Sequence, residues 1–76
     1  MRKSTLADVA EIRGILRSGF ARATRQQAGV SAAEVARVVG VGRSSVCDWE
    51  TGRSVPTARH ALAYGRALAA LAEKVA

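Results

Sequence analysis

Apolar residues recur three and four positions apart along most of this chain, and Val, Ile, Thr and the aromatics nowhere alternate with polar residues over a strand's length. Ala, Leu, Arg and Glu, which lose little side-chain freedom in a helix, fill the intervals. The pattern predicts an all-α protein. Leu6, Val9, Ile12 and Leu16 line one face of a first helix over about residues 6 to 17, and Thr5-Leu6-Ala7-Asp8 fits a capping box at its start. Gly19 weakens the helix, so residues 20 to 28 form either a second helix or the same one continued through a bend, with Gly29 as its C-terminal cap.

Ser31 with Glu34 makes a second capping box and predicts a helix from Ala32. At about 100° per residue, Ala32, Val35, Ala36 and Val39 share an inward face while Glu34 and Arg37 look outward. Gly40-Val41-Gly42 supplies a sharp turn with Val41 as an apolar plug, and the next helix begins near Arg43. In that helix Ser45, Val46 and Trp49 fall on one side; Arg43, Ser44, Cys47, Asp48 and Thr51 share the other. Gly52 ends it. Val55-Pro56 reads as an extended connection because proline disfavours helical angles in its predecessor, and Thr57 caps a last helix over about residues 58 to 74. Leu62, Leu68, Leu71 and Val75 give that helix an apolar stripe. The expected architecture is a compact bundle of about five helices in one domain, residues 1–76, with a helix-turn-helix over 32–51 and a C-terminal helix over 57–75.

A chain of 76 residues has a core worth only about 3–5 kcal/mol of net stability, and it has few staples to add. Cys47 is the one cysteine and His60 the one histidine, so neither an internal disulfide nor a metal centre is expected. His60 is read instead as lying near phosphate at the start of the last helix. No carboxylate pair, nucleophile–base pair or phosphate-cradling loop is present, which argues against an enzyme and implies no cofactor and no small-molecule ligand. Cys47 is read as a small groove-facing contact and Trp49 as a core residue. No apolar run reaches a membrane span and the N-terminal stretch lacks the apolar core of a signal peptide, so a soluble, cytoplasmic protein is expected.

Charge changes the picture more. The formal net charge is +6, and arginine outnumbers lysine ten to two. Arginine's planar fork engages phosphates and guanine edges in two-pronged fashion, so the bias fits a polyanionic partner, and composition alone fits a GC-rich coding sequence equally well. The outer face of the helix from Arg43 is small, polar and basic at its N-terminal end. Such a face fits a major groove, where Arg43 could reach guanine O6 and N7. Arg13, Arg17, Arg22, Arg59 and Arg66 are either an electrostatic skirt for DNA or solvated helix surface.

At these residues a family resemblance arises. Arg25-x-x-x-Gly29-Val30-Ser31, Glu34-Val35-Ala36, Gly40-Val41, Val46 and Trp49-Glu50-x-Gly52-Arg53-x-x-Pro56 resemble the Xre-type helix-turn-helix domain of lambda repressor and Cro-like proteins. The likeness covers about residues 20 to 72 and leaves residues 1–18 outside it, as an added interaction helix or as extra core cover. It implies that Arg43, Ser44, Cys47 and Asp48 face base edges, and that Ser31, Arg37, Ser45, Thr51 and Arg53 contact the DNA backbone. It also implies that Arg25 and Glu50 form a structural ion pair. Ala32 stands where the family often has Gln, and Gly42 where it often has a Ser or Thr cap, so two usual grips on DNA are missing.

The resemblance implies a sequence-specific regulator of transcription, a small repressor of the phage or prophage type bound to double-stranded DNA. Useful specificity from so small a module calls for a homodimer, through either the C-terminal or the N-terminal helix. The alternatives are the DNA-binding antitoxin of a toxin–antitoxin pair, and a protein–protein interaction module that has kept the fold.

Overall fold

In the computed structural model, which describes residues 5–75, Gly19 resolves the first ambiguity: the chain breaks there rather than bending. Its φ of 90° lies in the left-handed region that side chains with a Cβ avoid, so α1 (Thr5–Ser18) ends and α2 (Phe20–Gln27) starts afresh. Ser18 closes the junction, its Oγ donating to the Ile15 carbonyl at 2.8 Å and accepting from the Phe20 N–H at 3.2 Å. α3 (Ala32–Val39), α4 (Arg43–Thr51) and α5 (Ala58–Val75) follow, and no strand occurs among the described residues. The fold is all-α, with five helices among the described residues.

The helix ends follow the local chemistry of the sequence. α2 finishes with the Gly29 N–H on the Gln26 carbonyl and the Val30 N–H on the Arg25 carbonyl, a double closure that satisfies carbonyls the helix itself leaves open. Ser31 and Glu34 form the expected capping box: Ser31 Oγ accepts from the Glu34 N–H at 3.1 Å and the Glu34 carboxylate from the Ser31 N–H at 2.8 Å. α3 stops at Gly40, whose φ of 94° lets its own N–H and that of Val41 both reach the Ala36 carbonyl. Gly42 then enters α4 in an extended conformation with no side-chain cap.

Leu16, Val35, Ala36, Val46, Trp49 and Tyr64 are buried together and draw on α1, α3, α4 and α5; Ala21 adds α2. Two expected faces shift. Leu6, placed on the inner stripe of the first helix, is 82% exposed, because the buried positions of α1 are Val9 and Leu16 and the helix start overhangs the bundle. Thr5 already lies within the helix, so it is not the N-cap, and any cap falls outside the described residues. Of the expected stripe on α5 only Leu68 is buried, together with Ala61 and Tyr64; Leu62 and Leu71 are half-buried and Val75 is exposed.

Residues 5–18 cover the core as α1, which packs against α5 and α4. A Cβ at Gly65 would overlap Ile12 Cδ1, so the missing side chain is what lets α1 and α5 approach. Arg13 ties α1 to the connection after α4, donating from Nε at 3.1 Å and Nη2 at 2.8 Å to the carbonyl of buried Pro56. Arg13 is therefore a structural clamp and is not available to the skirt of cations in which the sequence grouped it.

Candidate nucleic-acid interface

α4 presents the face the sequence assigned to it. Arg43, Ser44 and Thr51 are exposed and Cys47 and Asp48 half-buried, while Val46, Trp49 and Glu50 point into the core. Ser45, taken with the inward side yet carried as a backbone contact, is half-buried at the edge between the two. Arg37 is exposed on α3, and Arg53 is exposed just beyond Gly52. Ser31 sits exposed at the start of α3 with its oxygen engaged in the capping box, leaving its hydroxyl hydrogen to donate elsewhere. Thr51 differs: its hydroxyl donates back to the Cys47 carbonyl at 2.9 Å and, more loosely, to that of Asp48 at 3.3 Å. Its only donor is thus committed within α4, and a phosphate offers it acceptors alone.

Trp49 is a core residue, 6% exposed, with its ring 6.4 Å from Tyr64 and 5.9 Å from His60. That contact accounts for the single histidine. Among the described residues no group of His, Cys, Asp and Glu is arranged to hold a metal ion. Ala32, where the family often carries Gln, is buried against the core.

What holds α4 in place is a buried polar network. Arg25 on α2 donates from Nε to Glu50 Oε2 at 2.9 Å and from Nη2 to Oε1 at 2.8 Å, a two-pronged pair that joins the helix before the motif to the helix that reads outward. Its Nη1 donates to the Val30 carbonyl at 3.0 Å. Tyr64 on α5 donates its hydroxyl to Glu50 Oε2 as well, so one carboxylate gathers three helices. Burial alone would raise Glu50, but the hydrogen bonds from Arg25 and Tyr64 and the guanidinium charge outweigh it and hold the carboxyl below its ordinary value. Arg25 is raised, chiefly by the hydrogen bond to Glu50, and Tyr64 is raised by burial and by donating to a carboxylate. No buried side-chain nitrogen or oxygen among the described residues lacks a partner. Sequence reasoning reaches Arg25 and Glu50 and misses Tyr64. The signal available is its i+3 spacing from Ala61 and i−4 spacing from Leu68 on α5.

On another side of the molecule α1 and α5 flank an open, largely apolar groove of about 680 Å³, lined by Ile12, Ile15, Phe20, Leu62 and Leu68 and edged by Glu11 and Arg66. The sequence carries no sign of such a groove. Phe20 is 58% exposed at its margin. No helix among the described residues is long and apolar enough to cross a membrane.

Two short helices joined by a glycine turn, the second locked by a buried ion pair and offering a polar outer face that begins at Arg43 and is followed by exposed Arg53, define a helix-turn-helix DNA-binding domain. The comparisons agree: a family model described as a helix-turn-helix domain matches residues 18–76, and the chain belongs to that family. The match leaves out residues 1–17 and so all but the last residue of α1. No curated protein and no solved structure matches the chain.

Proposed function

We propose that this protein is a sequence-specific reader of double-stranded DNA that regulates transcription by covering an operator, as a compact repressor of the phage or prophage type. The observation that carries the reading is the outer face of α4: Arg43 and Ser44 exposed at its N-terminal end, Cys47 and Asp48 half-exposed behind them, and the helix fixed from below by Glu50. Arg43, Ser44, Cys47 and Asp48 face base edges in this reading; Ser31, Arg37, Ser45 and Arg53 contact the backbone, and Thr51 does so only if its internal hydrogen bond opens. Selection of bound duplexes from a random pool tests it directly. A recurrent motif is expected, and Arg43→Ala weakens that motif by about 5–150-fold, the equivalent of roughly 1–3 kcal/mol for a base contact, while hardly changing a scrambled duplex. A pool that returns no motif sinks sequence-specific recognition.

The groove between α1 and α5 favours a second copy as the further partner. Its exposed Phe20 and half-buried Ile12 and Ile15 are apolar surface beyond what this small core encloses, and acidic Asp8 and Glu11 and basic Arg66 all line it, so both signs are present for the surface to pair with itself under a two-fold axis. Two modules on half-sites about 34–36 Å apart would then share one operator. Sedimentation at micromolar concentration is expected to give a dimer that Phe20→Glu converts to monomer. A monomer in free solution that also loads a full palindrome without cooperativity removes the dimer, and leaves the groove to a different protein, as in the antitoxin reading.

A further inference from the structure

We propose that α1, the helix outside the family match, carries a phosphate-binding element of its own: Arg17, lying across the turn that ends α4, joins Arg53 and Ser54 in gripping the DNA strand beside the recognition helix. This site adds to the DNA recognition proposed above and rests on it. Arg17 is exposed; its Cγ lies 3.9 Å from where a Gly52 Cβ would stand and its Nη2 3.9 Å from where one on Gly14 would, so the stem passes the turn and the guanidinium swings off α1 to meet a strand beside it. It shares a small hollow with Trp49, Gly52, Ser54 and Val55, so an arginine far away in the chain is seated at the end of the reading helix. At about 100° per residue Gly52 falls about 40° from outward-facing Asp48, toward the side of Trp49, which puts the turn at the margin of the groove-facing surface. A cation there meets the sugar–phosphate strand, and the base edges stay out of its reach.

Three further observations make Arg17 more than one solvated arginine among several. Arg13, one turn earlier on α1, is bonded twice to the Pro56 carbonyl, so the helix that carries Arg17 is pinned to the same connection that carries Arg53. The backbone that carries both arginines is thus held before DNA arrives. Glu50, two residues before Gly52, is consumed by Arg25 and Tyr64, and so does not neutralise the arginines at the turn. Arg17 and Arg53 have no hydrogen-bond or ion-pair partner among the described residues, and both are exposed, Arg53 directly after Gly52 and Arg17 with its stem against it. Asp48 is the remaining nearby acid, and it lies on the groove-facing side.

The test is binding of the full chain to its selected operator and to a scrambled duplex, across a salt series. One phosphate contact fewer reduces the slope of log affinity against log salt by about 0.9, which at about 0.1 M salt corresponds to about eightfold weaker binding. Arg17→Ala is expected to lose this factor equally on both duplexes with an unchanged melting temperature, and Arg17→Lys to restore the slope. Lys74→Ala removes the same charge from the last turn of α5, and is expected to leave the slope alone. Unchanged binding by Arg17→Ala overturns the assignment, as does an equal effect of Lys74→Ala, which would mean overall charge and not position. A wild-type chain that binds neither duplex at low salt overturns DNA recognition itself, a result distinct from either.

Discussion

Replacing Glu50 with alanine tests how α4 is held. The substitution strips the acceptor from an arginine that is 8% exposed and from the hydroxyl of a tyrosine that is 1% exposed, and it leaves Arg25 with the Val30 carbonyl alone. Breaking one partner out of a buried ion pair costs about 3–5 kcal/mol, because the remaining charge stays desolvated. That matches the whole stability expected of a domain this size, roughly 3–5 kcal/mol, so Glu50→Ala is expected to be largely unfolded at about 25 °C. Glu50→Gln keeps the shape and one acceptor but turns an amide N–H₂ toward donors, and falls in between. Tyr64→Phe removes one hydrogen bond to a charged group without stranding a buried donor, near the low end of about 1.5–3 kcal/mol. Urea unfolding at neutral pH, followed by Trp49 fluorescence and far-UV circular dichroism, gives all three values. The triple variant Arg25→Met, Glu50→Leu, Tyr64→Phe removes every charge together and should be more stable than Glu50→Ala. A loss below about 1 kcal/mol in Glu50→Ala, or a triple variant less stable than it, refutes the account of the network as a mutually dependent set.

Three other outcomes follow from the helix ends and the carboxylates. Because the folded state holds Glu50 below its unfolded value, the unfolded chain binds more protons there. The stability it contributes is complete above the ordinary glutamate value and is lost as pH falls through the lowered one. Acid unfolding of Glu50→Gln should therefore be shallower than wild type, with some slope remaining because Glu34, held low by the Ser31 N–H, shifts in the same direction. Ser31→Ala breaks the capping box and should lower stability by about 1 kcal/mol in the same urea assay. Gly42→Ser should raise it by about 0.5–1 kcal/mol: the backbone there is extended, a Cβ meets open space, and the hydroxyl supplies the cap α4 lacks.

Features set by neighbours in the chain are legible in the sequence itself. The Ser31–Glu34 box, the glycine turn and the division of α4 into two faces all follow from spacing within a few residues, and each stands where that spacing puts it. What the sequence hides depends on contacts between distant residues. Arg13 bonds a carbonyl 43 positions away, and nothing in its surroundings on α1 separates it from a solvated arginine. The buried face of α5 departs from the leucine stripe because close helix packing favours small residues at Ala61 and Gly65 and a long polar-tipped ring at Tyr64 over the bulkier apolar side chains. The Arg25–Glu50 pair is implied by the family resemblance; its third member lies on α5, where the motif gives no position for it. Helical phase gives the outer face of α4 and the family resemblance implies which of its residues face bases, whereas the groove between α1 and α5 exists only once two helices far apart in sequence meet.

The buried network and the sparse outer face belong to one physical arrangement. A motif with Ala32 at the start of α3 and Gly42 before α4, in place of two common grips, has few direct contacts, so freedom lost on binding would weaken it disproportionately. Glu50 removes much of that freedom at the folding stage, since Arg25 and Tyr64 fix α4 against α2 and α5 before DNA is met. Trp49 does the same from the adjoining turn, packed against His60 and Tyr64. Damage to the network then reaches DNA affinity through the folded population: a variant folded one time in ten binds about tenfold more weakly with the same intrinsic preference. In the reading proposed above, loss of Arg43 is expected to have the opposite signature, a changed preference with an intact fold. The two kinds of defect separate in one experiment, because ligand excess restores occupancy to the unstable variant without altering which duplex it prefers.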